Sequence, residues 1–291
     1  MKKKILVTGK GSYIGANLIK WLDQWPEIFE VEEISLREDS WKLIDFSKYN
    51  VILHLAAIVH QKEKSQMEQL YFTVNTDLPL AVATKAKNEG VRQFIFMSSM
   101  SVYGVEGSIG KVVNIDKDFP CNPKSFYGKS KLAAEQELLK MESNDFKIAV
   151  IRAPMIYGPN CPGNFKKLRK ISLMIPVFPK LINKRSMIFI DNLSEFMKFL
   201  IVDEKSGVFF PQNIDFISTY ELVSSIASYH KKKIYFSTVI GIFIRMIGNK
   251  FNITKKMFGN LQYDLSISLH DNYDYCVSDF EESIKKCEKD M

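Results

Sequence analysis

Histidine and cysteine are scarce in this chain, and neither falls into a pattern. Four of each are spread over 291 residues, and Cys121, Cys161, Cys276 and Cys287 form no Cys-x-x-Cys pair. That spacing excludes the common zinc and thiol-redox motifs, so no metal site and reduced structural thiols are the expectation. Long apolar runs are also missing: nothing approaches the ~20 residues a helix needs to cross a bilayer. The opening Met1-Lys2-Lys3-Lys4 has the charge of a signal-peptide start, but the apolar run Ile5-Leu6-Val7 ends at once in Thr8-Gly9. It reads as a first strand, and the cytoplasm is the expected location. Internal repeats, low-complexity tracts and flexible linkers are absent as well.

What is present describes an ordinary globular protein, 46% apolar and 25% charged, with a net charge of +7. Basic runs occur at Lys2 to Lys4, around Lys166, Lys167, Arg169 and Lys170, and at Lys231 to Lys233. Such runs usually form solvated faces, and they also attract a pyrophosphate or an anionic membrane surface. No nucleic-acid module accompanies them, so nucleic acid is discounted as a partner.

The first half alternates strand and helix patterns. Strands are expected at residues 3–8, 31–36, 51–55, 91–97 and 147–151, and helices at 13–22, 78–88 and 126–141. Gly90 is placed to end the second of these helices. This alternation predicts an α/β fold, a doubly wound parallel sheet of the Rossmann type with helices on both faces. After Pro154 the pattern turns irregular, with Pro159, Pro162, Pro176 and Pro179 breaking the chain. A short strand at 187–190, helices at 193–202 and 220–230 and a final helix at 279–287 follow. The apolar segment Val239 to Ile247 is too short to span a membrane and reads as a buried or surface-lying helix. The expected division is a cofactor domain over 1–160 and a smaller substrate-binding α/β region over 161–291. Residues 185–203 are expected to pack back on the first domain, with a substrate cleft between the two.

The chemistry is concentrated in two stretches. Thr8-Gly9-Lys10-Gly11-Ser12-Tyr13-Ile14-Gly15 joins a strand to a helix, the setting in which backbone approaches a pyrophosphate at a helix N-terminus. Tyr127-Gly-Lys-Ser-Lys131 puts a tyrosine and a lysine one turn apart on one helix face. A lysine so placed favours the phenolate and should lower a phenol pKa that starts at about 10. Ser99, at the end of an apolar strand, would hold the reacting oxygen. Together they fit proton exchange with a hydroxyl while a nicotinamide exchanges the hydride. Tyr-x-x-x-Lys alone occurs by chance in many helices; the order of turn, serine and pair gives it weight.

These stretches, with Val51 to Ala57, Asn75, Phe94 to Ser99, Val102-Tyr103-Gly104 and Arg152 to Pro159, resemble the extended short-chain dehydrogenase/reductase family of nucleotide-sugar epimerases, dehydratases and 4-ketoreductases. A second match runs from Arg185 to Leu193. The resemblance makes Ser99, Tyr127 and Lys131 the catalytic residues. It nominates Gly9, Ser12, Tyr13, Ile14, Gly15, Asp45, Leu55, Ala56, Ala57, Asn75 and Pro154 as cofactor contacts, along with Tyr127 and Lys131. Ser12 stands where the family's turn has glycine. Ser99, Ser101, Asn164 and Arg185 are nominated for the substrate. His54 is expected to be a satisfied core histidine.

Arg37, at or just past the expected end of the second strand, favours NADP(H), since arginine accommodates a 2′-phosphate; NAD(H) follows if Glu38 or Asp39 meets the ribose instead. Dehydratases of this family carry an acidic pair right after the hydroxyl residue, whereas this chain has Met100 and Ser101 there, which argues against dehydration. Two C4 reactions remain. Arg37 and a second half resembling the capsule-polysaccharide branch favour a UDP-4-keto-6-deoxy-N-acetylhexosamine reductase; the alternative is a UDP-glucose or UDP-N-acetylglucosamine 4-epimerase. A silent NAD(P)-binding regulator is disfavoured because both tyrosine and lysine survive. A homodimer and peripheral membrane contact are compatible with the sequence.

Overall fold

The computed structural model describes residues 2–59, 64–269 and 273–289. The chain divides into two compact units, one made of Met1–Gly104, Pro120–Ala153 and Leu193–Pro211, the other of Val105–Phe119, Pro154–Asn192 and Gln212–Met291.

The first unit is built on a six-stranded sheet of β1 (Lys3–Thr8), β2 (Phe29–Ile34), β3 (Val51–His54), β4 (Gln93–Ser99), β5 (Lys147–Ala153) and β6 (Gly207–Phe209), in the order β6-β5-β4-β3-β1-β2. Every pairing is parallel. Strands buried on both faces need near-continuous apolar sequence, and β3 and β4 have it. Helices α1 (Tyr13–Leu22), α2 (Glu68–Phe72), α3 (Leu78–Asn88) and α4 (Phe126–Lys140) belong to this unit. Leu6, Ile52, Phe94 and Phe96 of the strands share one core with Val82 and Ala86 of α3 and Ala134 and Leu138 of α4. This is the expected Rossmann-type α/β fold. Because β2 and β3 flank β1, the strand order reverses there, which opens a crevice at the carboxyl ends of β1 and β3.

Two strands are displaced by two residues from expectation, β4 later and β2 earlier. The second strand pairs Lys3 with Phe29 and Thr8 with Ile34, so it starts and ends two residues earlier than its apolar pattern implied. Pairing with β1, not local hydrophobicity, sets its end, and Arg37 falls three residues beyond it.

The second unit holds paired short parallel strands, Met155–Tyr157 with Met187–Phe189, Val177–Pro179 with Tyr235–Ser237, and Asn114–Ile115 with Gln262–Tyr263. Its helices are α5 (Asn164–Met174), α7 (Thr219–Tyr229), α8 (Thr238–Ile247), α9 (Asn252–Phe258) and α10 (Phe280–Lys289); α6 (Ile190–Val202) starts here and passes into the first unit at Leu193. Ile109, Phe178, Val223 and Phe258 form one of its cores. Glu288 of α10 bridges Arg169 of α5 at 2.8 Å and His230 after α7 at 2.6 Å. Among the described residues no helix is long and apolar enough to cross a membrane, and no cluster of side chains has metal-binding form.

Candidate active site

The turn after β1 is shaped by backbone crowding. Gly9 has φ +92°, and a Cβ there would lie 2.9 Å from the backbone nitrogen of Ala56, so the turn rests directly on the chain leaving β3. Ser12 is the N-cap of α1, accepting from the Gly15 N–H at 3.2 Å. A capping hydroxyl is what a helix start favours, and this explains serine in a glycine position. Gly11 has φ +75°, and a Cβ on it would meet nothing within 4 Å. The space over the turn is therefore open, beside the start of α1 where Tyr13 and Ile14 sit. Glu33 of β2 places its carboxylate oxygen 3.4 Å from the Gly11 nitrogen. An open strand-to-helix turn of this form, at a helix N-terminus, is the setting that suits a pyrophosphate.

At the end of β3, Leu55, Ala56 and Ala57 are half-buried. Asn75 is fully buried and clamps this segment, accepting from the Ile58 N–H at 2.8 Å and donating to the Ile58 carbonyl at 3.1 Å. Its amide also reaches Ser130 of α4 at 3.2 Å. Asn75 lies in a π-helical turn, Thr73–Asp77, between α2 and α3. Such turns recur at functional sites because they re-aim one side chain. Asn75 thus touches the crevice wall from behind. His54 is held between the Phe94 and Phe96 rings, with Nδ1 3.0 Å from the Thr8 hydroxyl. Burial lowers its pKa to about 3, so it is a neutral core residue.

Ser99, Tyr127 and Lys131 come together where β4 meets α4. Ser125 caps α4, accepting from the Gly128 N–H at 3.0 Å. A Cβ on Gly128 would lie 2.7 Å from the Ser101 carbonyl oxygen, so only glycine lets the first turn of α4 approach the loop after Ser99. That approach joins the Tyr127 hydroxyl to Ser99 by a hydrogen bond. Ser99 Oγ also accepts from the Ser101 N–H and meets the Ser101 hydroxyl, each at 3.1 Å.

The electrostatics differ from the sequence expectation. Burial pushes the Tyr127 hydroxyl up to about 12, opposed by the Ser99 hydrogen bond, and the expected lowering by Lys131 does not appear. The reason is geometric: the Lys131 ammonium turns to the Met97 carbonyl at 2.9 Å and sits 4.4 Å from the Phe96 ring centre. Lys131 is itself 1% exposed, and burial lowers its pKa to about 7 against the pull of Glu135.

Two groups escaped the sequence reading. Glu135, one turn beyond Lys131 on the same face of α4, accepts from Arg152 at 2.7 and 3.0 Å and from the Ser98 hydroxyl. Arg152 continues to the Tyr103 hydroxyl at 2.9 Å. The i, i+4, i+8 spacing of Tyr127, Lys131 and Glu135 was the available signal. Glu33 was the other; its register opposite Val7 gives it away only once β1 and β2 are paired.

The remaining nominated residues are more dispersed. Arg37 and Asp45 are exposed, and Asp45 accepts from the Ser47 N–H and hydroxyl at 2.9 and 2.6 Å, closing a local turn. In the second unit, Pro154 is buried directly after β5 and Asn164 opens α5 on the surface. Arg185 donates to the Gly259 and Lys255 carbonyls at 3.0 and 3.3 Å, at the C-terminal end of α9.

A profile of the NAD dependent epimerase/dehydratase family matches residues 5–208. The chain belongs to that family and is an NAD(P)-dependent enzyme of the nucleotide-sugar epimerase and reductase class. It is 29% identical to a UDP-glucose 4-epimerase of Vibrio cholerae, over 91% of this chain and 88% of that one. It is 26% identical to the N-acetyl-alpha-D-glucosaminyl-diphospho-ditrans,octacis-undecaprenol 4-epimerase of Escherichia coli O157:H7, over 71% of this chain and 66% of the relative. The fold matches a crystal structure of UDP-glucuronic acid 4-epimerase from Bacillus cereus in complex with NAD, with a TM-score of 0.75 and 20% identity over 99% and 96% of the two chains.

Proposed function

We propose that this protein moves a hydride and a proton at C4 of a UDP-sugar. The observation that carries the reading is the Tyr127 hydroxyl bonded to Ser99, with Lys131 buried one helical turn away. When bound, a nicotinamide supplies the hydride acceptor or donor. The turn from Gly9 to Gly15 would hold its pyrophosphate, and Lys131 its ribose. Ser99 holds the C4 oxygen by hydrogen bonding. Tyr127 gives its hydroxyl proton to that oxygen as a ketone is reduced, or takes the proton back as the alcohol is oxidised. Met100 and Ser101 offer no carboxyl group for removing a proton at C5, so dehydration is not part of the cycle. In the second unit, Arg185 and Asn164 are the proposed contacts to the diphosphate.

The net reaction we favour is reduction of a UDP-4-keto-6-deoxy-N-acetylhexosamine by NADPH, supported by Arg37 in the loop after β2 and by the capsule-type second half. The names of the two curated relatives favour a second reading, 4-epimerisation with the cofactor regenerated in each cycle. One experiment separates the two. A reductase oxidises one NADPH per 4-keto sugar and leaves UDP-glucose and UDP-N-acetylglucosamine unchanged. Interconversion of those sugars with their galacto partners, without net loss of NADPH, rejects the reductase. For the cofactor, Arg37→Asp should shift the affinity ratio from NADPH toward NADH; an unchanged ratio means that Arg37 stays in solvent.

A further inference from the structure

Helix α8 is apolar on the wrong side. Val239, Ile242, Phe243 and Met246, at i, i+3, i+4 and i+7, form one stripe, and they are 77%, 56%, 59% and 75% exposed. The inward face is already satisfied. Gly241 is buried so tightly against the backbone of Lys180 that a Cβ would collide with its carbonyl oxygen, and Ile244 packs beside Phe178 and Phe258. The outward stripe is therefore surplus to the fold. It continues into Phe251 and Ile253, 53% and 70% exposed, at the turn into α9. Contiguous exposed apolar surface of this kind marks an interaction site.

Charge says what covers it. No carboxylate occurs between Glu221 and Asp264, while Lys231 to Lys233, Arg245, Lys250, Lys255 and Lys256 do. These seven cations equal the whole formal excess of +7, so the rest of the chain is balanced. Lys231, Lys233, Arg245 and Lys250 are exposed, in the chain before, within and just after α8. An exposed apolar stripe in a segment that carries exposed cations and no carboxylate complements the acyl boundary and anionic headgroups of a bilayer. A second copy of the same face would set like charge against like.

We propose that α8 and the turn into α9 form a docking face for an anionic phospholipid surface, on which the helix lies without crossing. This inference does not depend on the sugar reaction, since its test contains no substrate. Full-length protein should co-sediment with vesicles of phosphatidylcholine and phosphatidylglycerol, about tenfold or more better than with phosphatidylcholine alone, and less so as salt is raised. The double variant Phe243→Ser/Met246→Ser should lose binding to both, with its melting temperature and circular dichroism unchanged because both side chains face solvent. Lys231→Glu/Lys233→Glu should lose the preference for phosphatidylglycerol. Equal sedimentation of wild type and Phe243→Ser/Met246→Ser overturns the proposal. So does gel filtration in which that variant converts a dimer into a monomer, which would assign the face to a second copy.

Discussion

At the scale of single residues, burial disfavours the charged forms of both Tyr127 and Lys131. It pushes the Tyr127 hydroxyl up to about 12 and lowers the Lys131 ammonium to about 7. Tyr127→Phe removes only the exchangeable proton and should lower turnover by about 10²–10⁴-fold while nucleotide-sugar binding holds, as measured by initial rates and nucleotide-sugar titration. Lys131 also sets a pH signature on stability. Its folded value lies below the unfolded 10.5, so the cost of burying it is full below about 7 and disappears as pH rises through 10.5. Lys131→Met should therefore melt higher than the wild type at pH 7, with the gap closing toward pH 10.5. A gap that does not change with pH would mean that the ammonium is solvated in the folded protein.

At the scale of elements, the site depends on close approaches that sequence patterns mark without explaining. Gly9→Ala would force a positive φ on alanine and press its Cβ onto Ala56, at a cost on the order of 1–3 kcal/mol. Denaturant unfolding and nicotinamide titration should show both lower stability and weaker binding. Glu135→Ala would strand Arg152, which is half-buried and held by the carboxylate, at a cost of about 3–5 kcal/mol measured by the same unfolding. The strands and helices of the first unit were legible because β3, β4 and β5 are apolar runs and Gly90 ends a helix. The end of β2 was not, since strand pairing and not local pattern ends it. The π turn that aims Asn75 was also hidden, because π geometry has no period of its own in a sequence. The spacing of Tyr127 and Lys131 was plain, but the direction of the Lys131 ammonium depends on where the Met97 carbonyl lies, which spacing alone does not specify.

At the scale of the whole molecule, acid should be the weak side. The unfolded His54 binds a proton near pH 6.5 and the folded one only at about 3, so between these values the unfolded chain holds more protons and stability falls as pH drops. Melting temperatures recorded downward from pH 6.5 should decline. His54→Phe should flatten part of that decline, although Thr8 loses its partner. Gly241 seats α8 on the backbone of Lys180, so this helix is fully formed and fixed before any surface arrives. Short cationic peptides that coil in water spend much of their binding energy on becoming helical when they adsorb; α8 has no such transition to make. Adsorption should then proceed as the landing of a rigid plate, with no rise in helical dichroism when vesicles are added and little loss of chain entropy. A large gain in ellipticity on adding vesicles would mean that the seat at Gly241 is loose.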